Sequence, residues 1–190
     1  MANTATKLMT VDEFFTWQLG QDERYELVEG VPIRMMTGAS TRHDRIVSNV
    51  LVDLGTQLEG SPCWPATADV ALRTKIRSLR RADVLVTCDE PRPDRYEAQK
   101  PRLVVEVLSP SNKGVEWQRK IEEYRQHPEL NYLLFIDSER QQATLVTRIG
   151  EKWLPSDYDG PGETIELPEI GCRLEMARIY RGVSLSPDIE

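Results

Sequence analysis

The sequence predicts an α+β domain, a mixed β-sheet flanked by helices. Three observations carry this. The apolar periodicity switches along the chain in the order helix, strands, helix, strands, helix, strand. Two apolar strands, residues 82–86 and 103–108, are joined by the polar, proline-bearing stretch 89–100, which suits a hairpin connection. The 190 residues contain no internal repeat and no low-complexity linker, so they read as one domain spanning 1–190.

Each element has its local reason. Residues 10–17 form a capped helix: Thr10 is the N-cap, Glu13 stands three residues later, and apolar residues follow. Residues 25–28 and 31–35 make a hairpin turning at Gly30. Ile46, Val47, Val50, Leu51, Leu54 and Leu58 keep helical spacing, and Gly60-Ser61-Pro62 ends that helix. Residues 69–72 predict a short strand, followed by the two apolar strands. Residues 115–126 predict a helix stopped at His127-Pro128. Residues 131–137 read as a buried strand, and 143–147 with 151–154 as a hairpin around Gly150. Residues 160–171 read as a Pro/Gly-rich tail, and 175–180 add a last helical turn or two.

Composition narrows the class. Hydrophobic content of 39% and charged content of 29% describe a globular chain. No apolar run approaches the roughly 20 residues a bilayer span needs, and residues 1–6 lack the pattern of a secretory signal. Cys63, Cys88 and Cys172 are odd in number and unrelated in spacing, so no disulfide framework or zinc site is expected and the cytoplasm is the default. A net charge of −7 argues against strong non-specific DNA binding. The local exception is Arg73, Lys75, Arg77, Arg80 and Arg81, five basic residues within nine positions, either a solvated loop or a phosphate-guiding edge.

The chemistry concentrates in the two apolar strands, each of which carries a single carboxylate, Asp83 and Glu106. A buried carboxylate takes a proton, a partner or a metal. A symmetric hairpin sets Ala82 opposite Val107, Asp83 opposite Glu106 and Val84 opposite Val105, with facing Cβ atoms about 4.5–5.5 Å apart. A divalent cation between two such carboxylates is the simplest remedy for their repulsion. The helix springing from the second strand, after the cap-rich turn Ser109-Pro110-Ser111-Asn112, presents Glu116, Lys120 and Tyr124 at four-residue steps on one face. Glu116 and Lys120 alone are an ordinary surface ion pair; their position lets the face lean over the carboxylates.

Asp83, Glu106 and Lys120 on strand, strand and following helix resemble the PD-(D/E)XK nuclease superfamily. The stretch 25–30, His43, Ala82-Asp83-Val84, residues 105–111 and the Glu116, Lys120, Tyr124 series more closely resemble the Uma-type family of putative restriction endonucleases. The resemblance runs from about residue 11 to 137. It departs from the superfamily at Ala82, where a proline is usual, and at Leu108, where the strand lysine is usual. Glu116 stands where the family often has aspartate.

The resemblance implies a restriction-endonuclease-like fold and metal-dependent hydrolysis of DNA phosphodiester bonds. Asp83 and Glu106 then hold Mg²⁺ or Mn²⁺, with the carbonyl of Val107 as a further ligand. Lys120, in place of the strand lysine, positions the attacking water or neutralises transition-state charge. Secondary candidates are Glu26 and Glu29 from the N-terminal hairpin, His43 near a helix start, Lys113 as a substrate contact, Glu116 and Tyr124. Arg73, Lys75 and Arg77 are the expected DNA contacts. Double-strand cleavage favours a homodimer. Two other readings remain: a non-catalytic nuclease-like module that binds nucleic acid or a protein partner, and a hydrolase of some other phosphoester.

Overall fold

The computed structural model describes residues 8–35, 38–109 and 114–185. Helix α1 (Val11–Gln18) starts at a reciprocal cap, in which the Thr10 hydroxyl accepts from Glu13 N while the Glu13 carboxylate accepts from Thr10 N. Strands β1 (Tyr25–Val28) and β2 (Val31–Arg34) follow as an antiparallel hairpin. Its Gly30 has φ +86°, and a Cβ there would sit 2.8 Å from Leu8 Cβ, so the turn requires glycine. Helix α2 (Thr41–Gln57) is capped by Ser40, whose hydroxyl accepts from His43 N.

After α2 come β3 (Trp64–Thr67), β4 (Leu72–Lys75), β5 (Ser78–Arg80), β6 (Val84–Thr87) and β7 (Pro101–Leu108). Helix α3 (Val115–Arg125) crosses to β8 (Tyr132–Asp137), which runs parallel to β7. Strands β9 (Gln142–Ile149) and β10 (Lys152–Asp159) extend the sheet, and β11 (Thr164–Leu167), a 3₁₀ turn, β12 (Cys172–Glu175) and α4 (Met176–Ile179) complete the described chain. The main sheet has the order β10-β9-β8-β7-β6-β3, a second has the order β2-β1-β5-β4, and β11 and β12 form a ribbon.

The side chains of β6 and β7 alternate between two cores. Val84, Val86, Leu103, Val105 and Val107 pack with Ile46, Val50 and Leu54 of α2. Leu85 and Val104 pack on the other face with Tyr124 of α3, Leu130 and Leu133. Strand parity therefore turns Glu106 towards α3. Val84 pairs with Val105, the register a symmetric hairpin requires, and Asp83, just before β6, reaches β7 through the Val107 amide.

The α+β class holds, while several local expectations change. The short strand expected at 69–72 begins at Leu72 instead, and β3 and β5 arise where none was predicted. Both are too short for a periodic signal, and β3 is formed by pairing with β6. The expected 160–171 tail contains β11, whose Ile165 and Leu167 are buried in register with Leu174 and Cys172. Cys63 and Cys88 form a disulfide, which corrects the expectation of none. They flank the register pair Trp64–Thr87 at the ends of β3 and β6, a proximity that only strand pairing creates. The cysteine argument for a cytoplasmic location falls with it. Among the described residues, no helix is long and apolar enough to cross a membrane.

Candidate active site

Asp83 ends the approach to β6, and its Oδ2 accepts from the backbone N of Val107 at 2.8 Å. The same oxygen lies 3.3 Å from His43 Nε2. Glu106, only 4% exposed, uses Oε1 to accept from the Tyr124 hydroxyl at 2.7 Å and from Lys120 Nζ at 2.8 Å. Among the described residues, the second oxygens, Asp83 Oδ1 and Glu106 Oε2, have no hydrogen-bond partner. The two strands thus bring both carboxylates to one mouth, each held by one oxygen.

The inward face of α3 is polar. Lys120, Glu123 and Tyr124 share it by helical spacing, and Glu123 and Tyr124 are fully buried. Lys120 Nζ meets three acceptors: Glu106 Oε1, Arg81 O at 3.1 Å and Glu26 Oε1 at 3.3 Å. Glu26 in turn accepts from Arg81 N at 2.8 Å and from Arg80 Nη1 at 3.1 Å. Its carboxylate is thereby engaged by cations and a backbone amide.

Burial is the main force that pushes the Glu106 carboxyl up to about 7, and the Asp83 charge adds to it; Lys120 and Tyr124 oppose the rise. Burial works against the charges of Glu26 and Lys120 as well. The neighbouring cations Lys120 and Arg80 nevertheless hold Glu26 below its ordinary value. Likewise, the Glu106 and Glu26 carboxylates hold Lys120 above its own. Burial and the Glu106 charge push the Tyr124 phenol well above 10, so it remains a donor. The hydrogen bond to Asp83 raises His43 against the effect of burial.

These groups open into a cavity of about 640 Å³. One wall is the start of α2 with Arg42 and His43; the others carry Arg81, Ser109, Ser138 and Glu139. Oxygen donors with room for water suit a hard divalent cation such as Mg²⁺, which usually takes one or two carboxylates and keeps several waters. Among the described residues no group of three His, Cys, Asp or Glu is arranged to hold a metal; Asp83, Glu106 and Val107, the ligands expected from the sequence, all line the cavity.

Other predicted residues lie elsewhere. Glu29 occupies the β1–β2 turn and lines a separate concavity with Lys75, Ile76 and Arg77, because the β4–β5 turn folds against it. Lys75 and Arg77 are therefore absent from the cavity wall. Arg73 is tied to Glu97 at 2.9 Å and to Asp12 at 3.0 Å. Arg80 and Arg81, 3% and 7% exposed, are internal cations, so the basic run is not one solvent-facing edge. Glu116 is exposed and pairs with Arg119. Lys113 and the turn residues 110–112 lie outside the described residues, and α3 takes Gly114 as its N-cap. Glu123, the inner partner of Arg80, is a further member of the site, and its local signal is a carboxylate one position before Tyr124 on the same helix face.

The comparisons agree with this architecture. Residues 11–177 match the family model described as "Uma2: Putative restriction endonuclease". An uncharacterized protein of Synechocystis sp. is 30% identical over 181 residues, covering 93% of each chain. A second uncharacterized protein of that organism is 27% identical over 87% of this chain and 96% of its own. A crystal structure titled as a putative nuclease belonging to DUF820, from Anabaena variabilis, superposes with a TM-score of 0.72 at 16% identity, covering 90% of this chain and 97% of that one, and so shares the fold. With the family model spanning both carboxylate strands and the helix that carries Lys120, the chain belongs to the Uma2 family of putative restriction endonucleases.

Proposed function

We propose that this protein is a divalent-metal-dependent endonuclease that hydrolyses DNA phosphodiester bonds. The observation that carries the reading is the convergence of two carboxylates, Asp83 and Glu106, on one cavity, with Lys120 bonded to Glu106 at 2.8 Å. Asp83, Glu106 and the Val107 carbonyl would hold Mg²⁺ or Mn²⁺. When bound, such an ion polarises a phosphoryl oxygen and lowers the pKa of a coordinated water.

The chain's own groups supply the rest. Lys120 keeps an ammonium beside the carboxylates, where it offsets charge that builds on phosphate oxygens. His43 holds Asp83 from the α2 side and Val107 N holds it from β7, so the carboxylate is oriented before a substrate arrives. Arg42, at the start of α2, adds positive charge to the cavity wall that a nucleic acid backbone would meet. A homodimer would supply two sites for the two strands of a duplex.

The test is calorimetric titration of Mn²⁺ into the wild type and Asp83→Ala, paired with cleavage of plasmid and single-stranded DNA and of a small phosphodiester. The reading expects binding and DNA cleavage that both vanish in the variant. Cleavage retained by a folded Asp83→Ala protein refutes it. DNA binding by a wild type that never nicks would replace it with the non-catalytic module, and turnover of the small phosphodiester alone would move it to another substrate class.

A further inference from the structure

A buried line of alternating charge runs behind the cavity through Glu123, Arg80, Glu26, Lys120 and Glu106. Arg80 grips Glu123 with two parallel bonds, Nε to Oε2 at 2.7 Å and Nη2 to Oε1 at 3.0 Å. The Thr74 hydroxyl donates to the same carboxylate at 2.8 Å, anchoring its outer end. Arg80 then uses Nη1 on Glu26, and Glu26 faces Lys120.

Stability alone gives little reason for this line. Buried ion pairs are weak stabilisers, and packed apolar residues of similar volume often do as well or better. Arg80 and Glu123 are 3% and 0% exposed and form no part of the cavity wall, so no substrate reaches them. Apart from the Thr74 anchor, the side-chain bonds of this pair lead to Glu26 and through it to Lys120. Lys120 stands on a long flexible stem, and its three ammonium protons face three acceptors, which leaves one position for the charge.

We propose that Glu123, Arg80 and Glu26 form a positioning device for Lys120, with Glu26 committed to the ammonium and not to a metal. This inference rests on Lys120 belonging to a phosphodiester-hydrolysis site.

The experiment uses the full chain labelled with ¹⁵N-lysine, as wild type, Glu26→Gln, Glu123→Gln and Arg80→Lys, with Lys120→Arg to assign the ammonium signal. Mn²⁺ affinity and cleavage kinetics are measured on the same samples. Glu123→Gln keeps the side-chain shape, and Arg80→Lys keeps the charge while losing the two-pronged grip. Each variant is expected to shift or broaden the Lys120 ammonium signal while Mn²⁺ affinity stays within about twofold. Turnover should fall about tenfold for Glu123→Gln and about 100-fold for Glu26→Gln, with KM unchanged. An unmoved Lys120 signal in the folded variants overturns the proposal. So does a loss of Mn²⁺ affinity beyond tenfold in Glu26→Gln, which would make Glu26 a metal ligand. If the wild type cleaves nothing, the nuclease reading fails, yet the signal and the metal titration still decide this one.

Discussion

Tyr124→Phe isolates one hydrogen bond in the candidate site. The ring is fully buried among Leu72, Leu85, Val104, Leu130 and Leu133, so the variant keeps the packing and opens no cavity. It loses the 2.7 Å bond to Glu106 Oε1. Lys120 still donates to that oxygen, so Glu106 is not orphaned. A hydrogen bond to a charged group is worth about 1.5–3 kcal/mol and a neutral one about 0.5–1.5 kcal/mol.

Which value applies depends on pH, because burial pushes the Glu106 carboxyl up to about 7. At pH 6 the group is mostly protonated, and the loss should be about 1 kcal/mol. At pH 8.5 it is ionised and the loss should reach about 2–3 kcal/mol. The sign follows from linkage. Removing a donor to the carboxylate raises the folded pKa further and leaves the unfolded one unchanged, so the penalty grows as pH rises through 7 and levels off above the variant's own value. Tyr124 itself, held well above 10, stays protonated throughout. Urea unfolding of both proteins in chelator at pH 6 and 8.5 measures the difference. A penalty that is the same at both pH values would refute the argument that Tyr124 stabilises the ionised form of Glu106.

Two further outcomes are expected. On the proposed reading Mn²⁺ displaces the Glu106 proton, so affinity should be about tenfold weaker at pH 6 than at pH 8, with proton release on binding at pH 6–7. Calorimetry in buffers of different ionisation enthalpy checks this, and pH-independent affinity would exclude Glu106 as a ligand. Reducing the Cys63–Cys88 disulfide, which spans 25 positions, should cost about 3 kcal/mol and lower Tm by roughly 6–12 °C. Differential scanning fluorimetry of Cys88→Ser beside the oxidised wild type reads it, and equal melting temperatures would show that the closed loop adds nothing.

The periodic elements and the carboxylate strands are written in local residue patterns. Apolar spacing in α2 and the strands and the Thr10 cap are local signals, set by residues within a few positions of one another. The pairing of Val84 with Val105 was legible because a hairpin register fixes which residues oppose. The shared face of Lys120 and Tyr124 followed from helical spacing.

Which charges meet depends on how the elements assemble. His43 reaches Asp83 across 40 positions and Arg80 reaches Glu26 across 54, and no local pattern encodes either pairing. The run from Arg73 to Arg81 reads as one basic patch. Strand alternation and sheet order instead send Arg80 to Glu123, Arg81 to the carbonyls of Ala68 and Asp69, and Arg73 to Glu97. The disulfide has the same origin, since β3 and β6 become neighbours only when the sheet assembles. Residue spacing sets which side chains share a face; the order of strands in the sheet sets what that face meets.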